Sequence, residues 1–167
     1  LADTDTAWAK RATFELARAT NSMIAGQVLD TLGVDRESFL GDESKLLQVH
    51  TLKTGALLQV SCRIGALVGG ADEDRCDLLA IYGHALGLMF QAVDDLLDVT
   101  SDAATLGKAT QKDAEAGKLT YPGVFGIDGT RREIARLHEQ AVGALSAFGP
   151  SAEPLRTMAQ RLATRTR

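Results

Sequence analysis

The sequence predicts an all-α protein, a bundle of antiparallel helices. Three observations carry this. Apolar residues recur near a 3.6-residue period over long stretches. No stretch alternates strictly between apolar and polar over strand length. Turn signals separate the periodic segments, at Gly33, Gly69-Gly70 and Gly149-Pro150.

Taken in order, the first helix runs from Trp8 to Leu32, with Phe14, Leu16, Ala17, Met23, Ile24, Val28 and Leu29 as its apolar positions and Gly33 as its stop. Asp35 to Asp42 reads as a loop, and Asp42 caps a second helix from about Glu43 to Val68. A third runs from about Asp72 to Val99. Thr100 to Gly117 is polar and reads as a loop, and Tyr121-Pro122-Gly123 opens the next segment irregularly. Thr130-x-x-Glu133 is a capping box for a helix through about Ala147. Ser151, with Pro154 three residues on, opens a last helix ending near Thr164. Gly26, Gly55, Gly65, Gly83 and Gly87 fall inside helical patterns, where each costs about 1 kcal/mol against alanine. Close helix packing, or room for a ligand chain between helices, compensates.

The chain has 167 residues, 45% apolar and 24% charged, with a net charge of −4. That length suits one domain or a large part of one. That charge does not suggest a nucleic-acid or acidic-membrane partner, and no nucleic acid is expected. Leu78 to Val93 is nearly free of charge but too short for a membrane span, so no stable membrane insertion is expected. No basic segment precedes an apolar stretch at the start, so no signal peptide is expected. Cys62 and Cys76 form no CxxC pattern, which suits a reduced, cytoplasmic protein. His50, His84 and His138 lack partners at ligand spacing, so zinc is not expected. His84 reads as a hydrogen-bonded core residue. No nucleophile–base arrangement stands out.

The chemistry concentrates in Phe90-Gln91-Ala92-Val93-Asp94-Asp95-Leu96-Leu97-Asp98. On a helix Asp94 and Asp98 share a face, and Gln91 lies one turn earlier on it. No Lys or Arg occurs between His84 and Gly107 to neutralise these acids. The apolar lead-in Leu86 to Val93 places them at the end of a core helix. Mg²⁺ suits such a cluster, because it takes oxygen ligands and bridges one or two carboxylates to substrate phosphates. A solvated acidic helix end is the competing reading, at even weight. Lys53 lies within an apolar helical run and must reach water or pair with an anion. Lys108 and Lys118 each follow a glycine in polar segments, where a plain surface role is the commoner one.

These segments together resemble the trans-isoprenyl diphosphate synthases, the farnesyl and geranylgeranyl diphosphate synthase family. The matching pieces are Gly26-Gln27-x-x-Asp30, His50-x-x-Lys53-Thr54-Gly55-Ala56-Leu57 and Gly87-x-x-Phe90-Gln91-x-x-Asp94-Asp95-x-x-Asp98-Val99. They continue with Asp102-x-x-x-Leu106-Gly107-Lys108, Lys112-Asp113 and Gly117-Lys118-x-Thr120-Tyr121-Pro122. The resemblance implies an isoprenoid-synthase helix bundle around a deep apolar cavity, with two aspartate-rich motifs at its mouth. It implies condensation of isopentenyl diphosphate with an allylic diphosphate, assisted by Mg²⁺, to a short-chain product. Asp94, Asp95 and Asp98 match the metal motif, with Asp94 and Asp98 facing the metal and Asp95 ligating or supporting. Lys53 and Lys108 match lysines that bind the allylic diphosphate, and Lys118 supports the loop or the diphosphate. Thr54 and Gln91 match polar residues near the reacting carbons. Phe90 would line the isopentenyl side, and Gln27 and Asp30 form a polar pair beside the site. A homodimer is implied.

The family's first aspartate-rich motif, DDxxD followed by two arginines, is absent, as is its Gly-Lys-Arg segment. Residues 1–167 therefore read as the C-terminal part of a single all-helical synthase domain, inactive alone, with its first helices outside this sequence. The start at Leu1 rather than Met agrees with that. A non-catalytic partner subunit of a heteromeric synthase is the alternative.

Overall fold

The computed structural model describes residues 7–32, 42–106 and 119–166. These form α1 (Ala7–Leu32), α2 (Glu43–His50), a π-helical turn (Thr51–Gly55), α3 (Ala56–Val68), α4 (Glu73–Leu106), α5 (Tyr121–Ala144), a 3₁₀ stretch (Ser146–Ala152) and α6 (Glu153–Ala163). The all-α expectation holds. The α4 helix is central, packed by α3 and the π turn on one side and by α5 on the other.

Local chemistry explains most boundaries. Asp42 caps α2 as expected, accepting from the N–H groups of Ser44 (2.9 Å) and Lys45 (3.3 Å). The α3 helix ends in a Schellman arrangement. Gly70 sits at φ +75°, Ala71 N–H donates to Ala66 O at 3.0 Å and Gly70 N–H to Leu67 O at 3.2 Å.

Five expectations need correction. The second helix is not continuous, because the π turn inserts between α2 and α3. The α4 helix runs past Val99 to Leu106; Thr100 stays helical by donating its hydroxyl back to Leu96 O at 2.8 Å. Thr130 caps nothing: it is fully buried inside α5 and donates to Gly126 O at 2.8 Å. The cap is Thr120, whose Oγ1 accepts from Gly123 N–H at 3.2 Å, and Pro122 fits the first turn because its N–H is not needed there. A kink at Gly126 (φ 68°) misaligns the two parts of α5. Finally, α5 ends at Ala144 rather than near Ala147, and Ser151 lies in the 3₁₀ stretch rather than capping α6. Gly149, at φ 60°, turns the chain there.

The core is built on α4 and α5. Tyr82, Met89, Tyr121, Leu137 and Leu145 are buried with Leu46 of α2. The Tyr82 hydroxyl donates to Leu155 O at 3.0 Å, tying α6 to α4. By length and composition α4 is the one described helix that qualifies as a membrane span, yet 61% of that window is buried inside the fold.

The glycines of α4 show how tightly α3 lies against it. A Cβ on Gly83 would sit 2.5 Å from Leu58 O, and one on Gly87 would sit 2.8 Å from the Gly55 Cα. The paired positions fall as one rises, which is the register of an antiparallel pair. Close packing is thus the reason for glycine at Gly83 and Gly87, whereas a Cβ on Gly65 would meet nothing within 4 Å.

An ion-pair cluster joins three helices at the other end of this hairpin. Arg11 of α1 pairs with Glu15 (2.9 Å) and with Glu73 of α4 (2.6 Å). Arg63 of α3 pairs with Glu15 at 3.1 Å and also with Glu73 and Asp77. The guanidiniums of Arg11 and Arg63 hold the Glu73 carboxyl at about 2, below its ordinary 4.5. A carboxylate whose value is lowered by folding stabilises the fold above its unfolded value and loses that contribution as pH falls. Part of the stability is therefore expected to disappear between pH 4.5 and about 2. Glu73→Gln should melt lower than wild type near pH ~6 and show a smaller further drop near pH ~3; identical pH dependence in the two proteins would count against this.

Candidate active site

The site is assembled from α1, the π turn and α4. The π turn carries Lys53 and Thr54, with Leu57 and Leu58 on the first turn of α3. Together with Met23 and Gln27 of α1 and Phe90 of α4, these residues, seven in all, line a cleft of about 510 Å³. Its walls are largely apolar, with Gln27, Lys53 and Thr54 as the polar points. The close approach that makes this possible is at Gly26, where a Cβ would lie 2.3 Å from Lys53 N and 2.7 Å from Lys53 Cα.

Lys53 Nζ donates to Asp30 Oδ2 at 2.5 Å, which settles how a cation is kept in an apolar run: it pairs with an anion. Gln27 Nε2 donates along α1 to Thr31 Oγ1 at 2.8 Å. From the cleft wall, Thr54 Oγ1 donates to Gln91 Oε1 at 3.4 Å. Gln91 Nε2 in turn donates to Asp95 Oδ1 at 2.8 Å.

The three aspartates part company. Asp95 is turned inward, its side chain 4% exposed. Its Oδ2 accepts from the backbone N–H of Tyr121 at 3.0 Å and lies 3.9 Å from His50 Nε2. His50 and Tyr121 stack with ring centroids 5.3 Å apart beneath it. Asp94 and Asp98 turn outward on the same face of α4, as their spacing requires. Asp94 Oδ1 accepts from Arg165 Nη2 at 2.5 Å, and the Arg165 guanidinium lies 5.5 Å over the Phe90 ring. Phe90 is part-exposed beside the cleft, unlike its buried neighbours Leu88, Met89, Ala92 and Val93.

Sequence reasoning missed two features here. Arg165 follows α6, and a basic residue among polar ones reads as solvated; only its distance from Asp94 shows otherwise. The stack of His50 on Tyr121 joins residues far apart in the chain. His84 differs from expectation: it is half-buried, and its buried Nδ1 has no hydrogen-bond partner among the described residues. A Cβ on Gly55 would lie 3.2 Å from that nitrogen, so the ring packs on bare backbone. Burial lowers the His84 pKa accordingly. Lys108 and Lys118 lie outside the described residues.

The sequence model of the polyprenyl synthetase family matches residues 5–146. The chain belongs to that family. It is 40% identical over 158 residues to geranylgeranyl pyrophosphate synthase 9, chloroplastic, of Arabidopsis thaliana. That similarity spans 93% of this chain and 44% of the relative. Among solved structures, it superposes on a geranylgeranyl pyrophosphate synthetase from the archaeon Geoglobus acetivorans with a TM-score of 0.79 at 28% identity, over 98% of this chain and 60% of that one. A decaprenyl diphosphate synthase from Rhodobacter capsulatus gives 0.80 at 27% identity, over 95% and 60%. The chain thus spans less than two thirds of the relatives it matches, and the polyprenyl synthetase fold positions the cleft and the aspartates as described.

Proposed function

We propose that this chain supplies one wall of a prenyltransferase site, in which isopentenyl diphosphate is joined head-to-tail (1′-4) to an allylic diphosphate to give a short-chain product. The observation that carries the proposal is an apolar cleft with Lys53 and Thr54 as polar points, Thr54 bonded to Gln91, and with Phe90 on its wall under the Arg165 guanidinium that pairs with Asp94. An allylic carbon that loses diphosphate becomes positive. An apolar wall excludes water from it, and the oxygens of Thr54 and Gln91 supply partial negative charge nearby. Lys53, released from Asp30 or shared with it, offers positive charge to a diphosphate. The allylic C1–O bond breaks, the double bond of isopentenyl diphosphate forms the new C–C bond, and a proton leaves to the departing diphosphate. No protein nucleophile is required.

Mg²⁺ fits the outer aspartates. Asp94 already receives a cation, the Arg165 guanidinium, and its donors are hard oxygens. Among the described residues no three acidic, His or Cys side chains gather into a metal-holding group. That agrees with an ion held by one or two carboxylates together with substrate phosphates. When bound, the ion would supply charge for the leaving diphosphate. Arg165 must leave Asp94 first. Arg165→Ala is therefore expected to tighten Mg²⁺ binding by up to about fivefold, the worth of a part-exposed ion pair of ~1 kcal/mol; calorimetric titration with inorganic diphosphate present checks it.

The same proposal includes a homodimer, supported by the exposed apolar Phe14, Ile24 and Val28 of α1, and a cytoplasmic setting, supported by the free Cys62 and Cys76. It includes, too, membership of residues 1–167 in a single synthase domain. The relatives named above are themselves synthases, which favours an enzyme over a partner subunit. The test is an assay of the full-length protein with isopentenyl and allylic diphosphates, with and without Mg²⁺. Absence of Mg²⁺-dependent elongation sinks the reading.

A further inference from the structure

Asp94 and Asp95 are neighbours in sequence, but a helix turns successive residues about 100° apart. Asp94 is 41% exposed and Asp95 4%. The inner carboxylate faces N–H donors on two elements: the side-chain amide of Gln91 on α4 and the backbone N–H of Tyr121 at the start of α5. The latter belongs to a first helical turn, where N–H groups have no partner within the helix and the positive end of the dipole favours a carboxylate.

A carboxylate only accepts, whereas the two ends of a glutamine amide have opposite character. Asp95 therefore dictates which end of Gln91 faces it. With Nε2 bound to Asp95, Oε1 must point the other way, toward Thr54 Oγ1 on the cleft wall. A flipped Gln91 would set its carbonyl oxygen against the carboxylate and turn N–H groups toward the cleft. For a reaction that develops positive charge there, the sign at that wall is decisive.

We propose that Asp95 is a positioning residue, not a metal ligand: it locks the Gln91 amide so that its oxygen faces the reacting allylic carbon. The inference rests on the prenyl-transfer reading above, and its test separates the two. In the full-length protein, Asp95→Asn keeps the shape and can still accept from Tyr121 N–H, but its own NH₂ then faces Gln91 and favours the flipped amide, with the Gln91 oxygen turned inward. It should lower kcat by ~10²-fold, the scale of a misplaced catalytic contact. Mg²⁺ affinity, measured by calorimetry with inorganic diphosphate, should move by less than about threefold. Asp94→Asn should instead weaken Mg²⁺ by about tenfold or more.

Gln91→Ala, which leaves Asp95 in place, should lower kcat alike, and adding Asp95→Asn to it should cost little more. Independent, multiplicative losses would overturn the proposal, as would an Asp95→Asn protein whose kcat returns at saturating Mg²⁺. A readout without turnover is the ¹⁵N-resolved side-chain amide of Gln91. Its protons should exchange slowly in the wild type and rapidly in Asp95→Asn. An amide indifferent to the substitution would refute the positioning role even in a protein that transfers no prenyl group. Protected amide protons in a protein without activity would leave the lock standing and overturn only the reaction assigned to it.

Discussion

Asp94→Ala in the full-length protein is expected to reduce prenyl transfer by ~10³-fold, the scale at which a group stabilising transition-state charge acts. Asp94 presents its carboxylate outward beside the cleft and already holds a cation, Arg165. Asp102→Ala, two helical turns away, should cost far less. The stability of the protein should barely change, because the lost ion pair is part-exposed and worth under ~1 kcal/mol. The measurement is kcat against Mg²⁺ concentration together with a thermal melt. Equal losses for Asp94→Ala and Asp102→Ala would remove Asp94 from the metal-facing position, and a large fall in Tm would make the effect structural instead.

Gly26→Ala should damage both fold and site. Its Cβ would lie 2.3 Å from Lys53 N, 2.7 Å from Lys53 Cα and 2.8 Å from Leu52 C. All three are backbone atoms, so no rotamer change relieves the contact, and α1 must move away from the π turn. Overpacking of this kind costs ~1–3 kcal/mol, and the better helix propensity of alanine offsets about 1 kcal/mol of it. The displacement carries Lys53 away from Asp30 and shifts Thr54 relative to Gln91. A fall in Tm of several degrees should accompany a loss of kcat of roughly tenfold or more. A variant that melts and turns over like wild type would show that the helices separate there without consequence.

Much of this arrangement was legible in the chain because the physics involved is local. The apolar period marked α1, α3 and α4, the Asp42 side chain announced its cap, and Gly69-Gly70 announced a stop. The resemblance to the synthase family, not the spacing by itself, singled out Gln27, Lys53, Thr54 and Phe90, which line one cleft, and Gln91, which is bonded to Thr54. What remained hidden depends on partners distant in sequence. Nothing in Asp94-Asp95 says which aspartate is inner, since that is decided by where Tyr121 brings the start of α5. Thr130 with Glu133 carries a capping signature as good as that of Thr120, and burial against the core overrode it. The insertion at Thr51–Gly55 changes hydrogen-bond spacing without changing composition, so periodicity over α2 and α3 runs through it unmarked.

That π turn also sets a constraint on how this stretch of chain can change length. A turn with i→i+5 bonding holds one residue more than the α-helix would over the same rise. Deleting a single residue between His50 and Ala56 would let the helix revert to regular α geometry. Because the π turn takes up its extra residue within the same rise, α2 would keep its phase relative to α3, whereas the same deletion in regular α-helix would rotate one side by about 100°. His50 would stay stacked on Tyr121 and Leu46 in the core, and α3 would keep its seat against Gly83 and Gly87, while the bulge that carries Lys53 and Thr54 would be lost. The segment absorbs a residue between two helices whose faces answer to different neighbours. Among descendants of this sequence, a single-residue gap should leave the packing of α2 and α3 intact when it falls in the π turn, and should be scarcer in the regular helix on either side, where it would put a buried face out of step.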